Sequence, residues 1–263
     1  MKWPWQRKKK PRRIGLALSG GAVRGMAHLG VLEVLEREGI RPSCVAGASA
    51  GSIVGAAYCA GIPLADIKRL ALRLQWSDVS HIVRPGLGFF DSQPLEDYVD
   101  EVIAGRRFDE LPIPFSAVAV DVMSGELVVL DEGPVAHAVR ASCALPVVFT
   151  PVSRGDQVLV DGGVLNNVPV SVVRDMGADY VIAVDLVPPF ERPEPPHSVF
   201  ELGTLVFSTL LRSAYDEAQT ADCLIVPDIS RFSWADFSQA LSLIAEGRKA
   251  AEAKIGQIKR DLE

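Results

Sequence analysis

Short apolar runs alternate with helix-length stretches along almost the whole chain, and glycine or proline stands at most of the junctions. That order admits few folds. Ile14 to Ser19 reads as a strand, followed by a glycine turn and an amphipathic run from Gly25 to Glu38 that Gly39 ends. Cys44 to Ala48 reads as a second short strand, and the small-residue run Ala50 to Ala60 as a helix closed by Gly61 and Pro63. Another helix is predicted from Leu64 to about Gln75. Phe115 to Val122 and Glu126 to Leu130 read as a hairpin across Met123-Ser124-Gly125, and Val158 to Val160 as a further strand. Val135 to Ala144 and Val170 to Met176 follow prolines at first-turn positions and read as helices. Tyr180 to Leu186 is apolar without alternation, as a strand covered on both faces would be. A helical pattern from Val199 to about Thr220, a strand near Leu224 to Val226 and a charged final helix complete the series. Strands and helices interleave to the end, so the expected fold is α/β. It is a single doubly wound domain with a mainly parallel central sheet and helices on both faces.

Two segments stand outside this rhythm. Asp78 to Gln93 carries Pro85, Gly86, Gly88 and the pair Phe89 and Phe90, and is expected to be irregular, a lid candidate. Pro188 to Pro196 is a proline-rich break, but the 67 residues beyond it are few for a second α/β domain, so it is read as a loop. Residues 14–263 are therefore expected to form one domain, a length of 263 residues being ample for a large core.

The net charge of −6 conceals an asymmetry. Residues 1–13 carry seven basic side chains and no acid, leaving 33 acidic against 20 basic residues in the remainder. A bare basic arm on an acidic body is a poor nucleic-acid surface, and no such partner is expected. With Trp3 and Trp5 the arm suits an anionic membrane surface, where each basic residue contributes about 1 kcal/mol. A loose solubilising tail is the other reading. Ile14 to Leu18 is too short for a signal-peptide core, and the uncharged stretch Pro42 to Ala65 is mostly Ala, Gly and Ser, too weakly apolar to drive insertion. The expected location is cytoplasmic and, on the membrane-binding reading of the arm, peripheral on the inner face of the membrane. Cys44, Cys59, Cys143 and Cys223 are scattered with no CxxC, so no metal site is indicated.

Three segments could carry chemistry. Gly47-Ala48-Ser49-Ala50-Gly51 is a G-x-S-x-G between a predicted strand and a predicted helix, the context in which a serine nucleophile is presented at the top of a sheet. The flanking Gly47 and Gly51 relieve the crowding of such a turn, and the helix N-terminus favours developing negative charge. A serine N-cap in a small-residue turn is the alternative. Ser19-Gly20-Gly21-Ala22-Val23-Arg24-Gly25 again joins strand to helix, and can aim several backbone amides at one spot, an oxyanion or a phosphate. Met26 and Ala27 stand where a P-loop requires Lys and Ser or Thr, which disfavours a nucleotide. Arg24 either orients this loop, meets an anionic headgroup or forms a structural ion pair. Asp161-Gly162-Gly163 closes a predicted strand, where an aspartate can reach across a cleft and two glycines clear the turn.

Together these segments resemble the patatin-like phospholipase family. The resemblance runs from Ile14 to Leu186 and includes the block Arg140-Ala-Ser-Cys-Ala-Leu-Pro146 with Phe149-Thr-Pro151 behind it. It implies a lipid acyl hydrolase acting through a Ser-Asp dyad without calcium, a catalytic histidine or a cofactor. Ser49 would be the nucleophile, Asp161 the base, and the amides of Gly20, Gly21 and Ala22 the oxyanion hole, with Arg24, Gly47, Gly51, Gly162 and Gly163 in support. Ala22 departs from the family pattern, which has a third glycine there, and a Cβ restricts positive φ.

A carboxylate of ordinary pKa near 3.9 is a weak base for a serine, so the site must raise its basicity by burial and lower the barrier with preorganised donors. The rival is a Ser-His-Asp triad, since the order Ser49, Asp161, His197 matches that of α/β-hydrolases. His197, however, lies in Pro-Glu-Pro-Pro-His, a surface-loop composition. A noncatalytic lipid-binding or regulatory module with the same fold is the alternative of a different class.

Overall fold

The computed structural model describes residues 12–83, 86–187, 195–213 and 215–263. Most of the basic arm and most of the proline-rich break lie outside the described residues. In chain order the elements are β1 (Ile14–Leu18), α1 (Met26–Arg37), β2 (Cys44–Ala48), α2 (Ala50–Cys59), α3 (Leu64–Ala71), α4 (Trp76–Val79), β3 (His81–Ile82), β4 (Gly88–Asp91) and α5 (Gln93–Ile103). They continue through β5 (Phe115–Asp121), β6 (Glu126–Leu130), α6 (Val135–Ser142), β7 (Val147–Phe149), β8 (Val152–Arg154), β9 (Gln157–Asp161), α7 (Val170–Asp175) and β10 (Tyr180–Val184). The last are α8 (Val199–Ser213), α9 (Tyr215–Ala218), β11 (Cys223–Ile225) and α10 (Ala240–Leu262).

The main sheet runs β11-β10-β1-β2-β5-β9-β8, with β6 also on β5. From β11 to β5 every pairing is parallel, and β6, β9 and β8 add antiparallel strands beyond. The expected mainly parallel α/β architecture is what the chain adopts. Period-two alternation divides the core between two faces. Leu16, Leu18, Val45, Tyr180, Ile182 and Val184 enter the larger cluster with α1, α2 and α10. Ala17, Cys44, Ala46, Val181 and Ala183 pack on the other side with α7. The side toward α1 thus receives the bulky residues, and small ones let α7 lie close. Across the larger face α1 and α10 cross at backbone distance, since a Cβ on Gly30 would stand 1.9 Å from the Ile244 carbonyl oxygen and one on Gly247 1.9 Å from that of Ala27.

Some expectations are corrected. Asp78 to Gln93 is not irregular: it contributes β3 and β4 to a second, three-stranded sheet with β7. Helix α5 follows at once, with Pro94 in its first turn and Leu95, Val99 and Ile103 buried at four-residue spacing. The helix expected over Leu64 to Gln75 ends at Ala71. The helix expected over Val199 to about Thr220 is present as Val199–Ser213 and Tyr215–Ala218, residue 214 lying outside the described residues. Arg13, among the first described residues, is fixed to Asp179 at the start of β10. That is the end of the parallel strands opposite the one at which β2 delivers Ser49.

Candidate active site

Ser49 is the single residue between β2 and α2, with φ 47° and ψ −124°. An L side chain rarely takes this backbone, and the strain is supported by what surrounds it. Ala48 is the last residue of β2 to pair with β5, and Ala50 already opens the helix. The chain reverses so tightly that a Cβ on Gly47 would meet the Gly51 carbonyl oxygen at 2.5 Å, and one on Gly51 the Leu18 carbonyl oxygen at 2.2 Å. Both flanking glycines are therefore steric requirements of the turn. The Ser49 side chain makes no helix cap, contrary to the N-cap alternative. Its amide donates to Ser142 Oγ at 2.9 Å and its carbonyl accepts from Ser52 Oγ at 2.6 Å, so the backbone is pinned from two sides. Its side chain lies within electrostatic reach of the Asp161 carboxyl, whose pKa it lowers, and of the Cys143 thiol.

Asp161 ends β9 and is 1% exposed. Its amide donates to the Ala144 carbonyl at 3.0 Å, and its Oδ1 accepts the Gly163 amide at 2.8 Å. A Cβ on Gly162 would lie 2.3 Å from the Val118 carbonyl oxygen, so the turn after Asp161 must be glycine to pass β5. Burial pushes the carboxyl up to about 7, with the Ser49 side chain and the Gly163 amide opposing the shift. Cys143, buried beside this carboxyl, has its thiol pushed well up by the same desolvation and stays protonated.

The glycine-rich loop leads from β1 into a 3₁₀ turn, Ala22–Gly25, that runs on into α1. A Cβ on Gly20 would meet Ser49 Cβ at 2.9 Å and Asn167 Oδ1 at 2.7 Å, so the loop lies directly against the serine. Ala22 does take positive φ, 49°, despite its Cβ. The three expected donors are not equivalent. The Gly20 amide donates to Asn167 Oδ1 at 3.1 Å, whereas the amides of Gly21 and Ala22 meet no acceptor among the described residues. Arg24 Nε and Nη2 donate to the Phe232 carbonyl at 3.0 and 2.7 Å, which favours the loop-orienting role over a headgroup contact. Behind the loop the buried His28 donates from Nε2 to the Ser19 carbonyl at 2.8 Å. Desolvation lowers its pKa to about 4 and keeps it neutral.

Ser49, Asp161, Gly20, Gly21, Ala22, Arg24 and Asn167 all line one cavity of about 260 Å³. Ser49, Ala50, Ile53, Val54 and Ala57 line it along two turns of α2, a path of about 12 Å at 1.5 Å per residue. Leu95, Val99 and Ile103 of α5 form another wall. Helix α5 runs outward from the site: Arg140 of α6 holds Gln93 and Asp91 at its start, and Arg106 beyond its end bonds the Ala60 carbonyl past α2. Ala57 and Ile103, both buried, therefore mark the remote end. His197 does not line the cavity. It is exposed, and its backbone amide donates to Glu201 Oε2 at 2.6 Å. Among the described residues no His, Cys, Asp and Glu cluster suited to a metal occurs, and no helix is long and apolar enough to cross a membrane. Sequence reasoning missed Asn167 and the individual importance of Ser142 and Cys143, although the last two fall within the quoted Arg140–Pro146 block.

The Patatin family model, described as patatin-like phospholipase, matches residues 16–174, and the chain belongs to that family. It is 34% identical over 177 residues to an uncharacterized NTE family protein of Mycobacterium tuberculosis strain H37Rv, covering 66% of this chain and 49% of that one. It is 31% identical over 183 residues to patatin-like phospholipase domain-containing protein 6 of Mus musculus, covering 66% of this chain and 13% of that one. The chain thus spans half or less of the length of these curated relatives. In fold it is similar to VipD of Legionella pneumophila, with TM-score 0.56 and 14% identity over 93% of this chain and 66% of that one. The type III effector ExoU gives TM-score 0.54 and 14% identity over 94% of this chain and 53% of that one.

Proposed function

We propose that this patatin-like phospholipase cleaves the acyl ester bond of a lipid through Ser49 as nucleophile and Asp161 as general base. The observation that carries the reading is the contact between a strained serine and a buried carboxyl of raised pKa at the head of an apolar cavity. Asp161 takes the Ser49 proton as Oγ attacks the ester carbonyl carbon. The carbonyl π pair moves onto oxygen, where the free amides of Gly21 and Ala22 stabilise the charge. Collapse expels the alcohol, which leaves with the proton from Asp161, and an acyl-Ser49 ester remains. Water gives a proton to Asp161 and attacks that ester; the fatty acid departs and the proton returns to Ser49. A base with a pKa near 7 is far better matched to this work than an ordinary aspartate.

The apolar walls along α2 and α5 support an acyl chain as the buried part of the substrate. Helix α8 supports a lipid surface as the place where that chain is collected. Phe207 and Leu211 line the cavity while Leu202, Val206 and Leu210 of the same helix are exposed. Peripheral membrane association follows from this reading. Fatty-acid release from defined lipids and labelling by a fluorophosphonate probe test it together. Both are expected for the wild type and neither for Ser49→Ala. A folded wild type that is unlabelled and releases nothing contradicts the hydrolase and leaves a noncatalytic lipid-binding module.

A further inference from the structure

Asn167 is 1% exposed and lies between the two glycine segments of the site. Its Oδ1 accepts the Gly20 amide at 3.1 Å and stands 2.9 Å from where a Cβ on Gly163 would be. Since an N–H must meet an acceptor, this bond fixes the orientation of the side-chain amide: oxygen on Gly20, Nδ2 turned elsewhere. Nδ2 is buried without a partner, in a residue that lines the cavity beside Ser49 and Asp161. An unsatisfied buried donor is costly, and the large majority of such groups in folded proteins are paired. An acyl ester brings an acceptor oxygen to Ser49, and the tetrahedral intermediate makes that oxygen an anion.

Building on the acyl-transfer reading, we infer that Asn167 Nδ2 donates to the substrate carbonyl oxygen, completing with the Gly21 and Ala22 amides an oxyanion site from which the Gly20 amide is withdrawn. One side chain then does two things. Its oxygen occupies the amide of Gly20 and holds the loop against Ser49, and its nitrogen supplies a donor in place of that amide. No proton leaves Asn167; its N–H bond to the oxyanion strengthens as the carbonyl π pair moves onto oxygen and weakens again as the intermediate collapses.

Asn167→Asp and Asn167→Ala separate the two roles. Aspartate keeps an acceptor for Gly20 and has no N–H to give; alanine loses both. The readouts are kcat and KM on a p-nitrophenyl ester, inhibition by a trifluoromethyl ketone whose serine adduct carries the oxyanion, fatty-acid product binding, and Tm. Both variants are expected to lose about 100-fold or more in kcat with KM within about threefold, the scale of a lost oxyanion donor. The ketone should weaken in step while product affinity holds. If Asn167→Asp retains kcat within about threefold of wild type, Asn167 only positions the loop and the inference is overturned. It is equally overturned if ketone and product weaken together. A wild type that turns over no ester removes the hydrolase reading and this one with it, an outcome distinct from an active wild type matched by an active Asn167→Asp.

Discussion

Ser49 and Asp161 meet across β5. Asp161 on β9 pairs with Ala119 of that strand, and Ala48, the residue before Ser49, pairs with Val118 on its other side. The serine and the carboxyl therefore flank the same position of one central strand, two strand spacings apart or about 10 Å between backbones, a gap their side chains close. Strand β9 enters antiparallel to β5, so its last residue arrives at that level and the chain must turn away at once. Gly162 and Gly163 make the turn possible. The antiparallel addition to a parallel sheet is what brings a distant carboxyl to the strand-to-helix turn.

On the proposed dyad, a base held near 7 by burial would set the pH dependence of the reaction. Only ionised Asp161 can accept the Ser49 proton, so kcat/KM on a neutral ester should rise with pH, pass half its maximum near 7, and level off above about 8. The initial-rate profile from pH 5 to 9 tests this. Full activity already at pH 5 would mean that the base is a group of ordinary carboxylate pKa.

The same burial predicts a stability cost at alkaline pH. Below about 3.8 the carboxyl is neutral in folded and unfolded chains alike. As pH rises from there toward 7, the unfolded chain releases the proton and the native state retains it, so native stability falls; above about 7 the loss is constant, on the order of 4 kcal/mol. Asp161→Asn removes the ionisation while its Oδ1 can still accept the Gly163 amide. It should raise Tm at pH 8 by about 4 °C or more, with a smaller gain at pH 5, while abolishing turnover. A lower Tm at pH 8 than wild type would contradict the burial cost.

The turn glycines differ in what a methyl group would meet. Gly51→Ala drives a Cβ to 2.2 Å from the Leu18 carbonyl oxygen in a backbone that cannot yield without moving β1, and should destabilise by about 3 kcal/mol. Gly125→Ala, in the open hairpin turn at φ 77° with nothing within 4 Å, should cost only the conformational penalty of about 1 to 2 kcal/mol. Urea midpoints of the two variants at constant m test the order. Serine-probe labelling of native protein should be lost only in the first.

How far the site can be read in the sequence follows from how local its determinants are. Ser49 and its two glycines are legible because strand, sharp turn and helix are consecutive and the crowding is settled within five residues. Asp161 was legible as a residue at a strand end, but its partner was supplied only by resemblance, since no local pattern encodes which strand lies beyond β5. Asn167 was illegible: an asparagine four residues beyond a diglycine turn looks like loop composition, and its hydrogen bond is to Gly20, far earlier in the chain. The periodicity of α5 was in the sequence at Leu95, Val99 and Ile103, but the glycines and prolines just before it suggested a lid. Strand β3 is two residues long, both exposed, and is held by pairing with β4, so no propensity would reveal it.

The remote end of the cavity predicts a chain-length limit. Counting from Ser49, α2 lines the cavity for about 12 Å, which accommodates roughly nine carbons of an extended chain at C–C bonds of about 1.5 Å. Ala57 is the last α2 residue on that path and its neighbours on this helix are mostly small, so a larger side chain there projects into space an acyl tail would fill. Ala57→Leu should leave kcat/KM for p-nitrophenyl butyrate within about threefold of wild type, because a short acyl group never reaches that turn. For the decanoate ester, whose tail reaches that turn, it should fall at least tenfold, since each displaced methylene in an apolar pocket is worth about 1 to 3 kcal/mol. Ile103→Ala, at the same end on α5, should act in the opposite sense and favour longer chains, at a stability cost of about 2 to 5 kcal/mol for the truncated core residue. The ratio of decanoate to butyrate activity is the decisive quantity because it cancels changes in the amount of folded enzyme. If both variants leave that ratio unaltered, the acyl chain does not run along α2, and the apolar walls between α2 and α5 serve packing alone.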